Sequence, residues 1–131
     1  MLKASHISFR YGKGPWILKN VDVAIRPGEI IGLSGRSGVG KTTLARVLAG
    51  YETPAEGFVS LDGNPIPQRG YHPVQLVWQH PERAVNPKWR MGKTLRESWC
   101  PDDDTLVELG IAKSWLKRWP NELSNGELQR F

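Results

Sequence analysis

Two stretches near the start of the chain alternate large apolar residues with polar or small ones. In His6-Ile7-Ser8-Phe9 and Val21-Asp22-Val23-Ala24-Ile25 the repeat is two, which puts every second side chain on one face of a strand. The pattern predicts strands over 4–10 and 16–25, joined by the turn Gly12-Lys13-Gly14-Pro15. A second turn at Pro27-Gly28 leads into the apolar run 29–34, EIIGLS, which suits a short strand buried on both faces. A glycine-rich segment follows. The period then lengthens: Leu44, Val47 and Leu48 lie on one face of a helix predicted over 41–49, with Gly50 at its C-terminal cap. Residues 57–61 and 74–78 (VQLVW) read as two more strands, the first followed by a turn at 62–65. Beyond Gln79-His80-Pro81 helical patterns take over: 94–99, 102–109 closed by Gly110, and a start after Ser124. The predicted order is an antiparallel N-terminal part, a strand–loop–helix core, and a helical segment.

Composition narrows the class without naming a function. The 131 residues are 39% hydrophobic and 24% charged, the balance of a globular domain rather than a disordered one. No apolar run approaches the roughly 20 residues of a membrane span, and MLKASHISFR has no apolar h-region, so no signal peptide is expected. The single cysteine, Cys100, cannot form an internal disulfide, which fits a reducing compartment. The net charge of +5 is unevenly placed: residues 1–50 carry eight basic and two acidic side chains, residues 101–131 four and six. The basic residues are scattered rather than clustered on one helix, so a small polyanion fits them better than nucleic acid.

The segment Gly35-Arg36-Ser37-Gly38-Val39-Gly40-Lys41-Thr42 fits G-x-x-x-x-G-K-[ST] at every fixed position, and it falls between a predicted strand and a predicted helix. Glycines let the backbone approach a phosphate closely. The N–H groups of Gly38, Gly40, Lys41, Thr42 and Thr43 are expected to form an anion nest at a helix N-terminus. Lys41 is expected to reach the β and γ phosphates, and the Thr42 hydroxyl to ligate Mg²⁺. The phosphate-loop candidates are therefore Gly35, Ser37, Gly38, Val39, Gly40, Lys41, Thr42 and Thr43.

With these residues in place, the chain resembles the ATP-binding subunit of ABC transporters, from Tyr11 to Arg130. Tyr11, in FRYG, sits where that family stacks an aromatic ring on adenine, and Trp16 either borders the base or fills strand packing. Gln79, opening QHPERAVNP, resembles the family's Q-loop glutamine, whose amide binds Mg²⁺ or the attacking water. Asn86-Pro87 and Arg90 resemble members serving oligopeptide, dipeptide and nickel importers. Leu123-Ser124-Asn125-Gly126-Glu127, followed by Leu128-Gln129-Arg130, resembles the signature LSGGQ-x-QR, and Ser124 and Gly126 match positions that contact the γ-phosphate held by an opposite subunit. Two positions depart: Asn125 replaces glycine, and Glu127 replaces glutamine and adds a carboxylate near a phosphate surface. LVELGIAKSWLKRWPNELS resembles the helical subdomain that precedes the signature.

The resemblance implies an α/β fold, a P-loop NTPase of ABC type with ATP and Mg²⁺ as cofactors. It assigns Lys41, Gln79, Ser124 and Gly126 to catalysis, Thr42 and Gln79 to Mg²⁺, and Tyr11 with the phosphate loop to the nucleotide. It divides residues 1–131 into a nucleotide-binding core (1–79), a Q-loop and helical subdomain (80–122), and the signature with the start of its helix (123–131). The family's apolar strand ending in Asp-Glu and its later histidine have no match here, so the expectation is a partial domain cut before that strand, without efficient hydrolysis of its own. The implied partners are a second ATPase subunit, head-to-tail, and an integral-membrane permease. The implied location is cytoplasmic, on the inner face of the membrane through that permease, with no nucleic acid bound.

Two other readings stand beside this one: a nucleotide-binding module without turnover, and an ABC-type ATPase with a soluble partner, as in DNA repair or phosphonate breakdown. His6, His72 and His80 lack metal-ligand spacing with Cys100, and Asp102-Asp103-Asp104 reads as a solvated helix start. Of the tryptophans, Trp78 is expected in the core. Trp89, Trp99, Trp115 and Trp119 are expected to be buried in the helical part, with one or two left for a partner surface.

Overall fold

The N-terminal strand organises the first half of the chain. In the computed structural model, which describes residues 1–67, 72–97 and 100–131, β1 (Leu2–Phe9) pairs antiparallel with β2 (Leu18–Ile25) on one side and β3 (Glu56–Leu61) on the other. A two-residue β4 (Asn64–Pro65) follows the Asp62-Gly63 turn and completes a sheet ordered β2-β1-β3-β4. The Asp62 carboxylate holds the N-terminal ammonium of Met1, and Asp62 N donates to Met1 O at 3.0 Å, so the start of β1 is tied to this turn.

The expected alternation along β1 is broken in the middle. His6 has φ 54°, and the pairing with both neighbours shifts register around it. The bulge turns Ser5 and Ser8 inward along with Ala4, Ile7 and Phe9. Ser8 Oγ accepts the Asn20 amide at 3.1 Å, which satisfies a hydroxyl that alternation alone would have left outside.

α1 (Lys41–Leu48) lays the predicted stripe on this sheet. Leu44 and Val47 join Ala4, Ile7, Phe9 and Leu18 in one core, with Leu48 at its margin. The helix closes as expected at Gly50, whose N–H donates to Val47 O at 3.1 Å while Tyr51 N donates to Arg46 O at 2.9 Å, a Schellman end.

Two predicted strands are absent. Residues 29–34 and 74–78 carry no strand pairing, with Ile30 97% exposed and Val77 78% exposed. The turn ahead of the first forms as predicted, Glu29 N donating to Arg26 O at 3.1 Å. Apolar content marks a segment for burial, but a strand exists only through a ladder partner. Among the described residues none lies beside either run.

By chain contacts the molecule divides into Met1–Leu76 and Val77–Phe131. The second unit contains α2 (Met91–Leu95), α3 (Asp103–Glu108) and α4 (Asn125–Leu128), with 3₁₀ turns at Pro81–Arg83, Lys113–Lys117 and Pro120–Glu122. α2 lies earlier than the predicted 94–99, because Met91 is fully buried with Leu123 and Leu128 and anchors the helix at its first residue. Residues 98 and 99, Trp99 included, fall outside the described residues. α3 and its closure match the prediction: Gly110 N bonds to Val107 O at 2.9 Å and Ile111 N to Leu106 O at 2.8 Å. Trp115 packs against the second core, and Trp78 is half-buried without belonging to either core cluster. Trp89 lies under the Lys93 ammonium at 3.9 Å and Trp119 under the Arg90 guanidinium at 5.1 Å. No described helix is long and apolar enough to cross a membrane.

Candidate phosphate-binding site

The segment from Gly35 to Gly40 forms the turn ahead of α1, and its residues are exposed except for half-buried Gly40. Lys41 folds back across it: Nζ donates to Gly35 O and to Arg36 O, each at 2.8 Å. The ammonium therefore already stands over the loop. The first intrahelical bond runs from Leu44 N to Gly40 O at 2.8 Å, so the amides of Lys41, Thr42 and Thr43 point out of the helix end. No side chain caps that end and no acidic residue lies in its first turn. Unpaired N–H groups, the positive end of the helix dipole and a lysine converge where an anion would sit. Thr42, in the first turn, is exposed.

α3 and α4 are closed in the opposite way. Asp102 Oδ1 accepts Thr105 N at 2.9 Å and Thr105 Oγ1 at 2.6 Å. At α4 the Glu127 carboxylate accepts Ser124 N at 2.7 Å and Ser124 Oγ at 2.8 Å, while Glu127 N donates to Ser124 Oγ at 3.3 Å. These bonds hold both carboxyls below their ordinary range: for Asp102 the Thr105 hydroxyl and then its amide, for Glu127 the Ser124 amide and then its hydroxyl, with Arg118 and Arg130 adding to the effect. A lowered carboxyl contributes stability above its unfolded pKa and loses it as pH falls through the folded value. Asp102→Ala is therefore expected to lower the melting temperature at neutral pH, with the deficit shrinking as pH falls through the lowered folded value. Thermal melts followed by circular dichroism would check this, and a deficit that stayed constant or grew as the pH was lowered would contradict it.

The structure brings Tyr11 to the phosphate-loop end of the sheet. Gly40 has φ 103°, and a Cβ there would lie 3.0 Å from Leu18 Cδ2 and 3.1 Å from Ile17 O. The loop thus packs on Ile17 and Leu18, where β2 begins, and only glycine meets both conditions there. Ile17 N in turn donates to Phe9 O at 2.9 Å, and Tyr11 follows two residues later. Its ring is half exposed and meets Phe9 edge-on, centroids 4.9 Å apart at 89°. Trp16 lies under the Arg10 guanidinium at 4.4 Å and belongs to neither core.

Gln79, Ser124 and Gly126 belong to the second unit. Gln79 is exposed in irregular chain just before the Pro81–Arg83 turn. Ser124 is the N-cap of α4, and Gly126 is exposed in its first turn. Asn125 is helical, so its tolerance of left-handed backbone is not used. Two contacts escaped the sequence reading. The Ser124–Glu127 reciprocal cap was available as S-x-x-E ahead of an apolar residue. The hydrogen bond from Tyr11 Oη to Glu52 Oε1, at 3.2 Å, joins residues 41 apart and has no local signal.

Comparison with known proteins bears on the family and the fold. The family model described as ABC transporter matches residues 18–131. The nickel import ATP-binding protein NikE of Pseudomonas putida is 36% identical, and the match covers 99% of this chain and 58% of that protein. The nickel import system ATP-binding protein NikE of Staphylococcus aureus is 31% identical over all of this chain and 58% of its own length. The chain thus spans a little over half the length of these relatives. Among solved structures, the dimeric ATP-binding cassette MJ0796 bound to ADP and Pi superposes with a TM-score of 0.72 at 20% identity, covering 99% of this chain and 66% of that one. The cbiO1 protein of Clostridium perfringens, part of the ABC transporter complex cbiONQ, gives 0.71 at 23% identity, with 98% and 57% covered. The family match over residues 18–131, with relatives 36% and 31% identical across nearly the whole chain and a fold shared with these cassettes, shows that the chain belongs to the ABC transporter family, to its ATP-binding domain.

Proposed function

We propose that the chain binds ATP with Mg²⁺ and serves as the nucleotide-binding part of an importer ATPase. The observation that carries this is the open N-terminus of α1 beneath Lys41 Nζ, with Tyr11 at the same end of the sheet. In this reading Gly35, Ser37, Gly38, Val39, Gly40, Thr42 and Thr43 enclose the phosphates and Lys41 neutralises them. Tyr11 stacks on the base. Thr42, an exposed residue in the first turn of α1, offers a hydroxyl oxygen of the kind Mg²⁺, a hard cation, prefers; the Gln79 amide is assigned to Mg²⁺ by the family resemblance alone. In the whole protein the role extends to ATP hydrolysis by a head-to-tail pair of ATPase subunits, with Ser124 and Gly126 facing the partner's nucleotide. Ser124 would first have to release Glu127 to offer its hydroxyl. Residues 80–122, the Q-loop and helical subdomain in this reading, would meet an integral-membrane permease from the cytoplasmic side. The likeness to nickel import subunits favours nickel, or a related small cargo such as a peptide.

Tyr11→Ala separates base from phosphate recognition. It is expected to weaken ATP about tenfold in calorimetric titration while leaving inorganic triphosphate unchanged, because base–aromatic stacking is worth about 1–3 kcal/mol. An equal loss for both ligands would remove Tyr11 from the base site. Co-purification of the full-length protein with a multi-span membrane protein would support transport, and recovery with a soluble partner alone would count against it.

A further inference from the structure

The hydrogen bond between Tyr11 and Glu52 ties the candidate base platform to the chain just beyond α1. Glu52 follows the Schellman end of α1 by one residue, so its backbone leaves a fixed helix terminus. It is half-buried, and its Oε1 accepts the Tyr11 hydroxyl at 3.2 Å. Tyr11 is also braced by Phe9, which is buried in the core that α1 covers. A tyrosine ring has two torsions to fix, and an edge contact at one end with a tether at the hydroxyl restrains both. Half exposed, the ring would otherwise sample several rotamers and lose that freedom only on binding.

We propose that Glu52 is a positioning residue for Tyr11, holding the phenol ring in the orientation that receives the base. The proposal rests on the base-stacking reading of Tyr11 above. Its physical content is that one helix sets both contacts: α1 opens the phosphate cradle at its first residue and, just past its last, tethers the aromatic platform. The spacing of platform and cradle then selects a ligand with a base at one end and a triphosphate at the other, rather than any polyphosphate.

The test uses the full polypeptide and titrates ATP and inorganic triphosphate separately. Glu52→Ala and Tyr11→Phe each remove the hydrogen bond and are each expected to weaken ATP about fivefold. The double variant should be no weaker than either single one, since both break the same contact. Glu52→Gln keeps an acceptor oxygen and should restore near-normal ATP affinity. Triphosphate should bind equally well throughout. Unchanged ATP affinity in Glu52→Ala, or matching losses for ATP and triphosphate, would overturn the role of Glu52. If Tyr11→Ala also left ATP untouched, the base-stacking reading itself would fall, so the two failures are told apart.

Discussion

Lys41→Ala is expected to lower affinity for ATP at least about a hundredfold and for inorganic triphosphate by a similar factor. The ammonium is the only Lys or Arg side-chain charge whose hydrogen bonds to the loop itself are seen among the described residues, bridging Gly35 O and Arg36 O. A charge-assisted hydrogen bond contributes about 1.5–3 kcal/mol, and a lysine facing a polyphosphate makes more than one. Two carbonyl bonds are partly given up on binding, which trims the gain. About a hundredfold, or 2.8 kcal/mol, is the resulting lower bound. The fold should survive, because both carbonyls lie on an exposed loop where water replaces the lysine, and no core residue is touched. Calorimetric titration with an unchanged melting temperature would bear this out, and unchanged affinity would remove the loop from the site. The pattern also separates two kinds of recognition. Lys41→Ala should cost both ligands equally, whereas Tyr11→Ala should cost only the one that carries a base.

How much of this was legible in the sequence depended on whether the determinant was local. The turn at 35–40 and the helix after it were readable because the glycines and the helix start that mark them lie within a few residues. Helix ends were readable for the same reason: Gly50 and Gly110 close α1 and α3 where the pattern placed them. The strands over 29–34 and 74–78 were not. Their apolar content is real, but pairing is a property of distant neighbours, and Ile30 ends up almost wholly exposed. The bulge at His6 was hidden too, since period-two alternation assigns Ser5 and Ser8 by count and cannot register an inserted kink. Within the candidate site, the placement of Lys41 beside its own loop was legible. The tether between Tyr11 and Glu52 was not, because it depends on where α1 stops relative to β1.

Gly57→Ala is expected to destabilise the first unit by about 3 kcal/mol or more, although a methyl group on a strand usually changes little. Gly57 lies in β3 with φ 84°, opposite the register break between Ser5 and Ser8. A Cβ there would collide with the carbonyl oxygen of Ser5 and come within 2.5 Å of His6 O and 2.6 Å of His6 C. These are backbone atoms, so no rotamer change relieves the overlap. They belong to β1, which is held between β2 and β3 and cannot shift without breaking one ladder. The bulge and the glycine therefore require each other: the kink at His6 brings β1 towards β3, and only a residue without Cβ leaves room for it. Gly63→Ala is the control. Gly63 has nearly the same φ, 81°, but nothing within 4 Å of its would-be Cβ, so it carries the conformational strain alone, about 1 kcal/mol. Urea unfolding of both variants separates the two costs, and similar midpoints would mean that β1 yields at the bulge. Because Phe9 ends this strand and Tyr11 follows it by two residues, residual ATP binding by Gly57→Ala should track the folded fraction rather than show an intrinsic loss of affinity.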